Sequence, residues 1–139
     1  MRECHSTWFD LVVDPGLHPP VPILRMFDLQ ATRRFYVDYL GCTLDWQEGG
    51  GGDCPAFMQV SRGPLVLNLS SHHGDGTPGG VVLVFVDEVE ALHKELHAKD
   101  YPFMKPGIEP HGSGREMVLL DPASNQIRFF ERGRGHDDE

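Results

Sequence analysis

Val21-Pro-Ile-Leu-Arg-Met-Phe-Asp28-Leu and Val81-Val-Leu-Val-Phe-Val-Asp87-Glu are the two stretches that decide the fold. Each is an apolar run that ends at an aspartate and leads into a helical pattern. The runs begin at positions 21 and 81, so the chain says nearly the same thing twice. The copies also close alike, with Leu65-Val-Leu-Asn68-Leu and Asn125-Gln-Ile-Arg128-Phe-Phe. A solenoid needs at least ~3 stacked repeats. Two copies instead predict an α+β fold, two fused βαβββ modules whose curved mixed sheets surround a central cleft.

Outward from these runs, the first copy reads in order. Residues 21–26 form a buried strand by their apolar content. Asp28 is a helix N-cap, Phe35, Tyr36, Tyr39 and Leu40 recur at helical spacing, and Gly41 ends the helix. Residues 43–47 are a short strand, and Gly49-Gly-Gly-Gly52 is a flexible turn. Residues 56–60 and 65–70 pair as a hairpin around Arg62-Gly63-Pro64. The second copy repeats this order. Residues 81–86 are a strand and Asp87 is a cap. Val89, Leu92 and Leu96 mark the core face of a helix, and residues 101–105 a strand. A loop rich in Pro and Gly follows. Residues 116–120 and 126–131 form the last hairpin, around Asp121-Pro-Ala-Ser-Asn125. The expected sum is eight strands and two helices.

The modules span residues 21–72 and 80–132 of a single domain at 21–132. Residues 1–20 are an N-terminal arm, broken by Pro15-Gly16 and Pro19-Pro20. Its Trp8, Phe9, Leu11, Val12 and Val13 need burial on the domain or on a partner subunit. Residues 133–139 are expected to be a disordered acidic tail.

Composition narrows the class. A chain of 139 residues with 40% hydrophobic content can bury a core of its own. No apolar run approaches the ~18 residues of a membrane span. The first residues lack a secretory pattern, so the expected compartment is the cytoplasm. A net charge of −9 repels nucleic-acid phosphates, so no nucleic-acid partner is expected. The same charge keeps the protein soluble or favours a cationic partner. Cys4, Cys42 and Cys54 are odd in number and widely spaced. They predict reduced thiols rather than a disulfide framework or a structural zinc site, with Cys42 in packing.

Several motifs carry possible chemistry. The glycine run at 49–52 lacks a following Lys-Ser/Thr and is a hairpin linker rather than a phosphate loop. His93 and His97 share one helix face, but their spacing to Glu95 departs from the zinc-helix pattern. They read as a solvated face. Ser71-His72-His73-Gly74-Asp75-Gly76 closes a strand, where alternation sends at most one histidine into a cleft. Arg115 and Glu116 follow a Gly-rich loop and alternate in direction, so one can face the cleft. No nucleophile elbow is present.

Taken together, Val21-Pro-Ile-Leu-Arg, Asp28-Leu, Phe35-Tyr36, Leu40-Gly41, Gly114-Arg115-Glu116 and Asp121-Pro122-Ala-Ser-Asn125 resemble the vicinal oxygen chelate superfamily. That group holds glyoxalase I, extradiol dioxygenases, fosfomycin-resistance enzymes and bleomycin-resistance proteins. In its metalloenzymes, four strand positions supply the metal ligands. The resemblance places them at Val21, Asn68, Val81 and Arg128. Divalent metals want imidazole and carboxylate ligands. None of these four residues supplies either, so the resemblance implies the fold without glyoxalase chemistry and without a cofactor.

The character is nearest to the metal-free bleomycin-resistance proteins. That similarity implies a cytoplasmic homodimer that binds a small molecule and confers antibiotic resistance by sequestering it. Aromatic faces stack planar heterocycles and attract cations. The candidate ligand-binding residues are Trp46, Phe57, Met58, Asn68, His72, His73, Phe103, Glu116 and Arg128, with no catalytic residue. The alternative is a superfamily enzyme, of lyase or dioxygenase type, acting on a small oxygenated substrate. Its relocated site would use His72 or His73 with Glu116.

Overall fold

The computed structural model describes residues 14–133. The apolar cluster of the arm (Trp8 to Val13), Cys4 and the acidic tail from His136 lie outside the described residues. Strand β1 (Ile23–Arg25) leads to helix α1 (Leu29–Arg33), which continues as a π-helical turn (Arg34–Tyr39). Strands β2 (Thr43–Gly49), β3 (Ala56–Arg62) and β4 (Leu65–Ser70) complete the first module. The second module runs β5 (Val81–Phe85), α2 (Val89–Ala98), β6 (Ile108–His111), β7 (Gly114–Leu120) and β8 (Gln126–Glu131).

Each module makes one four-stranded mixed sheet, ordered β1-β4-β3-β2 and β5-β8-β7-β6. In each, the first strand pairs parallel with the last and the remaining pairs are antiparallel. The two modules expected from the repeat are therefore present. Period-two alternation sorts strands such as β3 and β8. In β3, Ala56, Met58 and Val60 are buried while Phe57 and Gln59 face outward. In β8, Ile127 and Phe129 are buried and Arg128 is half-exposed. The inner faces join Phe35, Tyr36, Val89 and Leu96 of the helical segments in one core.

Local sequence explains the helix ends. Asp28 caps α1 as expected, its Oδ1 accepting from the Ala31 N–H at 3.1 Å. Asp87 does not cap α2. The N-cap position is Glu88, whose side chain makes no capping bond. The Val89 N–H is instead satisfied by Glu131 Oε1 at 2.8 Å. A carboxylate from the end of β8 reaches the exposed donor first.

Residues 101–105 are not a strand. The strand that pairs with β7 is β6, later in the chain. Pro102 lies inside the expected segment and Pro106 directly follows it, and neither can donate to a ladder. Tyr101 instead stacks on Tyr39 at 4.2 Å. That contact fixes the segment against the π-helical turn.

A buried polar seam joins the modules. Asp121, 6% exposed, accepts from Tyr36 Oη at 2.6 Å and from the Ala123 and Asn125 N–H groups at 2.8 Å. Asn125 Nδ2 donates to Asp121 Oδ2 and to the Arg25 carbonyl, both at 2.8 Å. Asn125 Oδ1 accepts from the Gly80 N–H at 3.0 Å. Burial, reinforced by the Asp121 carboxylate, pushes the Tyr36 hydroxyl well above its ordinary pKa. Cys42 is buried, and burial raises its thiol to about 11, which suits packing rather than reactivity. Among the described residues, no helix is long and apolar enough to cross a membrane.

Candidate binding surface

Both sheets bury one face and leave the other open. On the first sheet the open face carries a row of rings. Trp46 of β2 is 40% exposed and stacks on Phe57 of β3, with centroids 5.6 Å apart and planes 4° from parallel. The next ring is His72, edge-on to Phe57 at 6.3 Å. A register shift between Leu44 and Trp46 contributes, because it brings both Asp45 and Trp46 onto this face. Asp45 accepts from Gln59 Nε2 and Ser61 Oγ, at 3.0 and 2.9 Å. Glu48 lies opposite Phe57 across the strands. The ring row is thus edged by carboxylates.

Two loops frame the row. Gly49 ends β2 at φ +71°, and a Cβ there would lie 2.1 Å from the Pro55 carbonyl oxygen. Only glycine fits this turn beside Trp46. The loop after β4 is tied down from three sides. Arg25 Nη1 donates to the His72 carbonyl and, at 3.2 Å, to the Asp75 carbonyl. Ser70 Oγ donates to Asp75 Oδ2 at 2.8 Å and accepts from the His72 N–H at 3.1 Å. At Gly76, φ +64°, a Cβ would sit 2.8 Å from the Arg25 N. These bonds hold the His72 ring against Phe57.

The second sheet has a different open face. Val81, Leu83 and Phe85 of β5 are 53%, 54% and 55% exposed. Phe130 meets Phe85 and His111 edge-on, each at 6.1 Å, and the Arg132 guanidinium lies 4.3 Å from the Phe85 ring. His111 Nδ1 is 4.0 Å from Glu116 Oε1. A cleft of about 820 Å³ lies between the modules. Leu40, Arg62 and Leu65 of the first module line it, with Leu83, Phe85 and Leu92 of the second.

The sequence-predicted residues divide into groups. Trp46, Phe57 and His72 come together, and His73 is exposed on the same loop. Asn68 shares their sheet face, paired with Ile23 and Gln59, and its Oδ1 is buried without a hydrogen-bond partner among the described residues. Glu116 and Arg128 lie on the other sheet. Met58 is completely buried, because alternation turns it to the core side of β3 while Phe57 faces out. Phe103 is 66% exposed but stands on the helical side, against Tyr101 at 5.3 Å and Arg34 at 5.3 Å. Neither belongs to the ring row. Phe85, Phe130 and His111 were not in the predicted set, although alternation along β5 and β8 would have placed Phe85 and Phe130 outward.

The four positions that the family resemblance matches to metal ligands also sit on the open faces. Val21 and Val81 are exposed, at 40% and 53%. Arg128 pairs with Leu83 and Val118. Two aliphatic chains, one amide and one guanidinium do not fit a divalent cation. His93 and His97 are stacked, with centroids 4.0 Å apart, but His97 Nε2 is engaged by the Pro106 carbonyl at 2.9 Å.

The same fold is found in solved structures. A bleomycin resistance determinant encoded on transposon Tn5 superposes with a TM-score of 0.66 at 19% identity, covering 84% of this chain and 98% of that one. The bleomycin-binding protein of Streptomyces verticillus, complexed with copper(II)-bleomycin, is 30% identical over 82% of this chain and 95% of that chain, with a TM-score of 0.58. A lactoylglutathione lyase from Agrobacterium tumefaciens is 19% identical over 84% and 95%, with a TM-score of 0.62. No curated protein matches the chain. The family profile described as glyoxalase superfamily protein matches residues 10–136, and this chain belongs to that superfamily.

Proposed function

We propose that this protein is a metal-free binder that sequesters a planar, bleomycin-like antibiotic as a cytoplasmic homodimer, and so confers resistance. The observation that carries the reading is the Trp46–Phe57–His72 row on an open sheet face edged by Asp45 and Glu48. Stacked rings offer a flat surface for a planar heterocycle, and the carboxylates attract a cation to it. The bleomycin-binding protein of Streptomyces verticillus gives the ligand class its support.

The open faces support the dimer. Val21, Ile23, Val81, Leu83 and Phe85 are large apolar residues that two separate sheets leave exposed. Contiguous apolar patches on a soluble chain mark interaction surfaces. Two-fold pairing would set the open face of one subunit against that of the other and close a groove between them. Light scattering at micromolar concentration should give twice the 15.6 kDa chain mass. A monomeric mass removes the dimer.

Bleomycin titration tests the function. Binding should quench or shift tryptophan fluorescence and raise Tm, by mass action on the native state. Trp46→Ala should abolish the fluorescence response and weaken binding roughly tenfold, the effect of losing about 1.4 kcal/mol of stacking. A chain that shows neither response to bleomycin is not a bleomycin binder. The His111–Glu116 pair favours a second reading, an enzyme acting on a small oxygenated substrate. Turnover lost in His111→Ala would support it.

A further inference from the structure

We infer that Arg128 reads an anionic group on the ligand, a carboxylate, sulfonate or phosphate, at the centre of the second sheet. This rests on the binding-groove reading above and specifies the chemistry of its other wall.

Arg128 projects from the open face, because its neighbours Ile127 and Phe129 are buried on the other side. Across the strands it lies between Leu83 and Val118, so its head emerges from an aliphatic floor. Its Nε donates to Gln126 Oε1 at 3.1 Å. Gln126 is two residues away on the same face, and this bond occupies Nε. Nη1 and Nη2 have no partner among the described residues.

Three of the other arginines on the two modules are held by polar partners, while Arg34 and Arg132 lie over the Phe103 and Phe85 rings. Arg25 is held by the His72 and Asp75 carbonyls, and Arg62 by the Leu40 carbonyl and Glu95. Arg115 is held by Glu90 and Glu131. Each of these stabilises the fold, whereas Arg128 keeps two donors unused beside apolar surface.

A planar fork of this kind matches the oxygens of a carboxylate, sulfonate or phosphate bidentately. Glu116 lies on the same face, diagonal to Arg128 across the ladder. Its carboxylate is directed at His111. The net charge of −9 opposes an anion at long range. That opposition is screened beyond ~8 Å at physiological salt, so the local guanidinium decides. The ligand is then amphiphilic in charge, with a planar part for the rings of the first sheet and an oxyanion for Arg128.

Two fluorescent probes of one shape separate these terms. Anilinonaphthalene sulfonate carries the anion, and phenylnaphthylamine lacks it. The full chain should bind the sulfonate roughly tenfold more tightly than the amine, the gain of one charge-assisted pair. Arg128→Gln should bring that ratio close to one, and Arg128→Lys should retain part of it. Trp46→Ala should weaken both probes and leave the ratio in place. Equal affinity for the two probes in the parent, or a ratio that survives Arg128→Gln, overturns the anion site and leaves the groove standing. Failure of both probes to bind overturns the groove and the anion site together. A Tm within a degree or so of the parent shows that the variants are folded.

Discussion

The two modules share one topology but turn different chemistry outward. The first sheet shows Trp46, Phe57 and His72 edged by Asp45 and Glu48. The second shows Val81, Leu83, Phe85 and Arg128. Their inner faces do not differ in this way, since both supply aliphatic and sulfur side chains to one core. A duplicated unit must keep its buried face to stay folded, because close-packed interiors tolerate little change. Its open face has no such duty. The contrast teaches where this fold can acquire specificity.

The seam between the modules should show the largest effect. Asp121→Ala removes an acceptor that serves Tyr36, two backbone N–H groups and Asn125. Leaving several buried donors unsatisfied costs on the order of 3–5 kcal/mol. Chemical denaturation should register a loss of that size. A loss below about 1 kcal/mol would mean that the Asp121 network contributes little to joining the modules.

Inner and outer faces should then separate within one sheet. Met58→Ala opens a cavity in the core and should cost about 2–5 kcal/mol, with ligand binding affected only through folding. Trp46→Ala, on the open side, should cost far less stability while lowering ligand affinity. Equal stability losses from the two variants would break the distinction between a structural and a recognition face.

The two equivalent aspartates offer a sharper contrast. Asp28→Ala should destabilise by about 1 kcal/mol, because its carboxylate caps Ala31. Asp87→Ala should change stability by less than about 0.5 kcal/mol, as expected for a surface site. The cap function in the second module belongs to Glu131, whose carboxylate also serves Arg115. A thermal melt of the two alanine variants decides the assignment.

The smallest effect concerns pH. The Arg62 hydrogen bond to Glu95, aided by Lys99, holds the Glu95 carboxyl below its usual pKa of 4.5. A depressed carboxylate pKa contributes stability above the unfolded value, and this contribution fades as pH falls through the folded value. The pair is partly exposed, so the contribution should stay below about 1 kcal/mol. Glu95→Gln should flatten the stability profile in the acid limb below about pH 4.5 and leave it unchanged near pH 7. An unchanged acid limb would remove this pair from the contacts between α2 and β3.

Much of this was legible in the chain. The repeat of an apolar run ending in aspartate, with hydrophobic spacing of two or of about 3.6, exposed both modules, both helices and seven of the eight strands. The misplaced strand at residues 101–105 shows the limit. Tyr, Phe and Met there suit a strand, but Pro102, Pro106 and the stack of Tyr101 on Tyr39 override that preference. The site was partly legible. Trp46, Phe57 and His72 are chemically suited to recognition, and they do converge. Met58 and Phe103 have equally suitable side chains and do not join them. Residue type gives a side chain's capacity, whereas its sheet face and neighbours decide its use.

The sequence by itself determined the two-module α+β architecture and the α1 cap at Asp28. These are matters of local pattern and residue chemistry, which no packing alters. Only the tertiary structure decided that the Asp121–Asn125 turn welds one module to the other. It alone decided that Glu131 takes over the second helix cap, and that the register shift in β2 brings Trp46 over Phe57. Each joins residues far apart in the chain. Such contacts depend on strand register and on how helices settle on sheets, and a linear pattern carries neither.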